Sequence, residues 1–184
     1  DPEDTDKLLG ELPHPLFGVA ASDLYSSGKG KVALLYKSAQ KYDPTFGPHE
    51  RQTTGDCVSH STRTAVDVTR CHEIVGGDRE DFVARGATEA IYGCRGHGGQ
   101  GMSCSRAAAF VSKNGGVLVR KNYPGIIDLS RYNSKVGTSW GARGLPDKVI
   151  KKADDHQIKT VSLIKTVEEA RDALANGYGL SVCS

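Results

Sequence analysis

Nearly a third of the way along the chain, Gln52-Thr53-Thr54-Gly55-Asp56-Cys57 sets a thiol directly after a glycine and a helix-capping acid. Asp is a favoured N-cap, so Cys57 falls at the first helical position. A free cysteine thiol has a reference pKa of about 8.5, and only its thiolate attacks a carbonyl carbon well. The start of a helix carries about half a positive charge, which favours the anion. The Cys57 N–H is among the donors that a helix leaves unused. It can therefore face the oxyanion that forms as a thiolate attacks a peptide carbonyl. Gln52 adds a side-chain amide suited to be the second oxyanion donor, and Gly55 permits a tight turn before the helix. The chemistry this segment suits is nucleophilic acyl transfer. Its bland rival is a small buried cysteine that merely fills space at a helix start.

Other groupings point elsewhere. Cys57-x-x-His60 and Cys94-x-x-His97 have zinc-ligand spacing, with Cys104 or Cys71-His72 as further donors. Against zinc, Cys57 and His60 would project from inside one regular helix. The run Gly96-His97-Gly98-Gly99-Gln100-Gly101 resembles a phosphate loop only in glycine content. It lacks the Gly-Lys-Ser/Thr ending and follows no clear strand. Lys148, Lys151 and Lys152 read as a solvated helix face.

The elements that must position Cys57 follow from periodicity and stop signals. Ala65, Val68, Cys71 and Ile74 recur at helical spacing, and Gly76-Gly77 ends the run, predicting a helix over residues 57–75. A second helix is expected over residues 79–92, then a glycine-dense loop over 93–101. Ser103 caps a third helix through residue 113, and a short extended piece follows at 117–119. Residues 126–147 read as mostly loop. A helix over 147–153, a strand over 157–164, a helix over 166–175 and a strand over 179–183 close the chain. Glu168 and Glu169 suit the start of the last helix. Helices first and strands later indicate an α+β arrangement.

Length and charge narrow the class. A chain of 184 residues is one domain, or two small lobes sharing a cleft. Its 24 basic residues balance 22 acidic ones, so there is no electrostatic footprint for nucleic acid or a membrane surface. No stretch approaches the roughly 20 apolar residues that span a bilayer. The acidic opening, Asp1 to Asp6, has no apolar core. The start at Asp1 is read as removal of a leader or as a start inside a longer product. Five cysteines leave at least one unpaired, and the compartment stays open.

With these residues in view, the chain resembles the papain family of cysteine peptidases. Its Gln52-to-Cys57 segment resembles the family's glutamine-to-cysteine signature at the head of a long central helix, with a gap one residue shorter. Val58 stands where the family has an aromatic, and Thr54 where it has a further cysteine. Gly93-Cys94-Arg95-Gly96 resembles the Gly-Cys-x-Gly-Gly loop lining the family's substrate cleft, with His97 in place of the next glycine. Asn122-Tyr123-Pro124 resembles its Tyr-Pro-Tyr segment. Residues 161–183 resemble its strand, a short helix ending Ala175-Asn176, and a second strand.

The resemblance implies a papain-like two-lobed α+β fold with a lead-in arm over residues 1–50. A helical lobe would occupy 51–120 and a partial β lobe 121–184. It implies a peptidase acting on a peptide or protein substrate through a Cys57 thioester, without metal or other cofactor. Cys57 and Gln52 would be catalytic, and Gly96, His97, Gly98 and Gly99 would bind substrate. The family's general-base histidine comes after the strand that residues 179–183 resemble, so it is expected beyond residue 184 or on a second chain. His60, on the nucleophile's own helix, is a weak substitute. His14, His49, His72 and His156 read as surface or capping residues. The alternative is an inactive papain-like scaffold serving as a structural or binding component of a larger assembly.

Overall fold

A computed structural model describes residues 14–47, 50–78 and 81–182. Among them lie eight α-helices, one 3-10 turn and one two-stranded sheet, so the architecture is mixed but mostly helical. The helices are α1 (Phe17–Ala20), α2 (Leu35–Tyr42), α3 (Cys57–Gly76), α4 (Glu89–Gly93), α5 (Cys104–Ser112), α6 (Ser134–Arg143), α7 (Asp147–Asp154) and α8 (Val167–Ala175). Strands β1 (Asn122–Tyr123) and β2 (Ile127–Asp128) pair antiparallel across a turn at Gly125.

The central element is α3. It ends where Gly77 adopts φ 109° and donates to the Glu73 and Ile74 carbonyls, a left-handed cap that a side chain would strain. One flank carries Val58 into the main core with Ala90, Ile91, Phe110, Val111 and Leu118. The other carries Val68 and Cys71 against Leu35, Ala39 and Phe46 of the α2 region. Between them α3 buries Ser59, His60, Thr62, Arg63 and Asp67, an unusually polar set for an interior helix. Most of these groups meet partners, as burial favours, although His60 Nε2 and Arg63 Nε make no hydrogen bond. Arg63 lies 3.4 Å from Asp67 and 3.7 Å from Glu50, while Arg120 pairs with both Glu50 and Glu89. Two guanidiniums thus face three carboxylates. Burial pushes Asp67 up to about 6 despite Arg63 and the Gly86 N–H.

The two ends of the described chain are stitched together. Phe17 donates to Leu163, and Leu163 to Pro15. The N–H groups of Ser26 and Gly28 both donate to the buried Asp172 carboxylate of α8 at 2.8 Å. Helix α8 itself starts in a reciprocal capping box between Thr166 and Glu169. After it, the chain runs extended along α3. Gly179 donates to Thr69 Oγ1 at 2.7 Å, Ser181 reaches Ser61 and Thr62, and Val182 donates to Ser61 Oγ at 3.2 Å. The segment therefore climbs α3 toward its N-terminus.

Several expected elements differ. Residues 79–92 were expected to be helical; residues 79 and 80 lie outside the described residues, and of 81–92 only the last part is helical, as α4. Before it Gly86 bridges Val119, its N–H claimed by Asp67, and Ala87 donates to Leu118. Those tertiary bonds outcompete a local helix. Residues 126–147 were expected to be loop but hold β2 and α6. The strands expected over 157–164 and 179–183 are, where described, extended pieces without a ladder. Their backbone bonds go to Val111, Pro15 and the hydroxyls of Thr69 and Ser61 instead.

Candidate functional site

Asp56 is the N-cap of α3 and Cys57 its first residue, as the sequence implies. The Cys57 thiol is exposed, at the head of a helix otherwise set into the core. The Asp56 carboxylate, however, caps no N–H of the helix. Its Oδ2 accepts from the Tyr132 hydroxyl at 2.8 Å and lies 3.3 Å from His60 Nε2. The His60 contact is close enough for charge pairing but off-line for a hydrogen bond, and Asp56 Oδ1 has no partner. Asp56 is 1% exposed and His60 8%. The two rings, His60 and Tyr132, meet edge to face at 5.3 Å. His60 is thus an interior residue turned toward Asp56.

The stretch before Cys57 is tied down from a second side. Thr53 donates to Ser134 Oγ at 2.6 Å, and the neighbouring Asn133 N–H donates to Glu89 at 2.8 Å. Tyr132 and Ser134 therefore hold Asp56 and Thr53 at the start of α3, and Asn133 between them ties the same stretch to α4. Gln52 is exposed.

The glycine-dense loop docks on this segment. Gly101 donates to the Gly55 carbonyl at 3.1 Å, and Ser59 donates to Met102 Sδ at 3.2 Å. Gly55 does not take a left-handed conformation. Its missing side chain serves close approach: a Cβ there would sit 2.8 Å from Gln100 Oε1 and 3.1 Å from Gly101 N. The tight turn expected at Gly55 is thus a contact requirement, not a dihedral one. Gln100 and Gly101 touch the Cys57 segment, while Gly96, His97, Gly98 and Gly99 stand exposed beyond them.

Arg95 sets the loop's shape. It is 1% exposed, with its guanidinium carbon 3.9 Å over the Tyr92 ring. Nε donates to Gly99 O at 3.0 Å, Nη1 to Tyr92 O and Gly137 O at 2.9 Å, and Nη2 to Thr138 O at 3.2 Å. One side chain thus ties the loop to α4 and α6. Gly141 of α6 makes room for it, since a Cβ there would overlap the guanidinium.

No family model matches the chain, and no curated protein or solved structure matches it either. What the site can do must be read from its own geometry. That geometry is an exposed thiol at a helix N-terminus, a backbone N–H beside it, an exposed amide upstream and a glycine loop pressed against the turn. Chemically, such an arrangement can support nucleophilic attack by the thiol.

The other cysteines are unlike Cys57. Burial pushes the Cys71 thiol up to about 11, and burial does the same to Cys94, whose sulfur faces the Arg106 carbonyl. Cys104 is held in a disulfide. Among the described residues, no group of three or more His, Cys, Asp or Glu side chains gathers as a metal site. No described helix is long and apolar enough to cross a membrane.

His14 is buried rather than at the surface, with burial and then Lys113 holding its pKa below the ordinary value. His72 meets Ser38, His156 is exposed, and His49 lies outside the described residues. No described histidine hydrogen-bonds the Cys57 thiol. Two cavities among the described residues, of about 430 and 350 Å³, take no lining residue from the Cys57 segment or the glycine loop. The exposed thiol, with its chemistry, marks the site better than cavity size does.

Sequence reasoning missed Tyr132, Gln100 and Arg95. Arg95 carried a signal, a lone arginine inside a glycine run, where a long donor can reach several backbone carbonyls. Tyr132 carried none, since it meets Asp56 only through the fold.

Proposed function

We propose that this chain is the nucleophile-bearing part of a papain-like cysteine peptidase, with a helical lobe around α3 and part of a β lobe. The Cys57 thiolate attacks a peptide carbonyl carbon. The resulting oxyanion accepts hydrogen bonds from the Cys57 N–H and the Gln52 amide. Collapse breaks the C–N bond, and the amine leaves with a proton from a histidine. Water then hydrolyses the thioester to a carboxylic acid and restores the thiol. The substrate is a peptide or protein whose backbone lies along Gly96, His97, Gly98 and Gly99. The histidine comes from sequence following residue 184 or from a second chain. The climb of residues 179–182 along α3 favours delivery at the right end of the helix.

The observation that carries this reading is the exposed Cys57 thiol at the head of the 20-residue helix α3, with the Gly101–Gly55 contact beside it. A thiol-reactive peptide-like probe applied to the intact protein near neutral pH tests it. Cys57 should be labelled fast and selectively. At pH 7 a thiol pushed to about 11, as at Cys71 and Cys94, is thiolate in only about one molecule in 10⁴. Cys57→Ala should abolish labelling and turnover with the fold intact. Slow labelling, or labelling spread over several cysteines, would favour the inactive scaffold instead.

A further inference from the structure

We propose that Tyr132 is a positioning residue for Cys57: its hydroxyl holds the Asp56 carboxylate off the first turn of α3, leaving that turn's N–H groups to the thiolate. This rests on the reading of Cys57 as nucleophile and adds a residue that does not touch the reacting atoms.

An Asp at an N-cap ordinarily accepts from the N–H of the second or third helical residue. Here it accepts from neither, although the backbone places Asp56 at the cap with its carbonyl already bonded to His60 N. The carboxylate is instead buried, gripped through Oδ2 by Tyr132, with Oδ1 unpartnered. A buried carboxylate oxygen without a donor is costly, so it would swing to the helix N–H groups if nothing restrained it. Those N–H groups are what give a helix start its attraction for an anion. A carboxylate seated on them would cancel that attraction immediately beside the thiol. Burial first, then the Asp56 charge, hold the Tyr132 phenol above its ordinary value, so it remains a donor through the neutral range.

The charged and titratable neighbours are few. Helix α3 contributes Asp56 and His60, the segment before α6 contributes Tyr132, and the Arg120 guanidinium lies 5.7 Å behind the Tyr132 ring. The glycine loop brings the neutral Gln100 to the turn.

The test is the pH–rate profile of Cys57 alkylation by iodoacetamide, read by peptide mass spectrometry on the full chain. Wild type, Tyr132→Phe, Asp56→Asn and the double variant are compared. Tyr132→Phe should move the midpoint up by a few tenths of a pH unit, up to about 0.6, the limit being one whole charge brought to about 5 Å in a water-like medium. In the Asp56→Asn background the same change should move nothing. Overlaid wild-type and Tyr132→Phe profiles would overturn the proposal, as would an undiminished shift in the Asp56→Asn background. Should Tyr132→Phe not fold, Asp56→Asn decides alone: its midpoint should stay or fall, and a rise of half a unit overturns the proposal. The shifts are read whatever the absolute rate. A wild-type Cys57 reacting no faster than in an unfolded peptide would sink the nucleophile reading separately.

Discussion

Replacing Arg95 by Met should loosen the glycine loop and lower the melting temperature measurably. The side chain makes four bonds to carbonyls, at 3.0, 2.9, 2.9 and 3.2 Å, and those to Tyr92 and Gly137 are buried. A hydrogen bond to a charged group contributes about 1.5–3 kcal/mol. The two buried bonds therefore set the scale, since Gly99 and its loop can turn to water. Removing the guanidinium also removes the cost of burying a charge that has no carboxylate beside it, which offsets part of the loss. A net loss of about 2–4 kcal/mol follows, or roughly 5–15 °C for a chain of this size. Arg95→Lys is the informative control. It keeps the charge but lacks the fork that reaches α4, α6 and the loop together, so it should fall within about 1 kcal/mol of Arg95→Met. Thermal and denaturant unfolding at pH 7 measure both. A lysine variant as stable as wild type would refute the reasoning, because charge alone would then suffice.

Asp67 should give stability a distinct pH dependence. Its folded pKa, about 6, lies above the ordinary carboxylate value. Its contribution is therefore fully present below about pH 4 and lost as pH rises through about 6, some 3 kcal/mol in all. Asp67→Asn can still accept from Gly86 N–H but does not titrate. Wild-type stability minus that of Asp67→Asn should thus drop by about that amount between pH 4 and 7. Urea unfolding across the range checks it, and a flat difference would count against the buried-acid account. Gly55→Ala should push Gln100 and Gly101 away from the Cys57 turn, the new Cβ meeting Gly101 N at 3.1 Å. Labelling by a peptide-like probe should then slow several-fold while labelling by iodoacetamide holds. Equal slowing of both reagents would show that the loop contact serves stability alone.

Where local chemistry decides the backbone, the sequence was legible. Helix α3 carried its own start and stop in Asp56 and Gly77, α5 its Ser103 cap, and α8 its Thr166–Glu169 box. Where distant partners decide, it was not. Helix α6 contains Gly137 and Gly141, both poor helix formers, and was read as loop. It forms because those glycines allow close packing, Gly137 against Glu89 and Tyr92, and Gly141 against Arg95. The reverse happened at 79–92, where Asp67 and Leu118 draw Gly86 and Ala87 into extended backbone. At the site, Cys57, Gln52 and the loop could be named because each is local. Tyr132 lies 76 positions from Asp56, and only tertiary contact joins them.

The course of the chain's last described segment bears on how strongly a tethered group would act at Cys57. Ser61, which holds Val182, is four residues from Cys57, about 6 Å along a helix. An extended residue spans about 3.3 Å, so only a couple of residues separate that anchor from the level of the thiol. A group joined to the chain shortly past Val182 would meet the thiol at an effective concentration on the order of millimolar. A weakly binding sequence placed there would behave as a strong one. Variants that differ in the sequence following Val182 should therefore be compared by what that sequence carries as well as by how far it reaches.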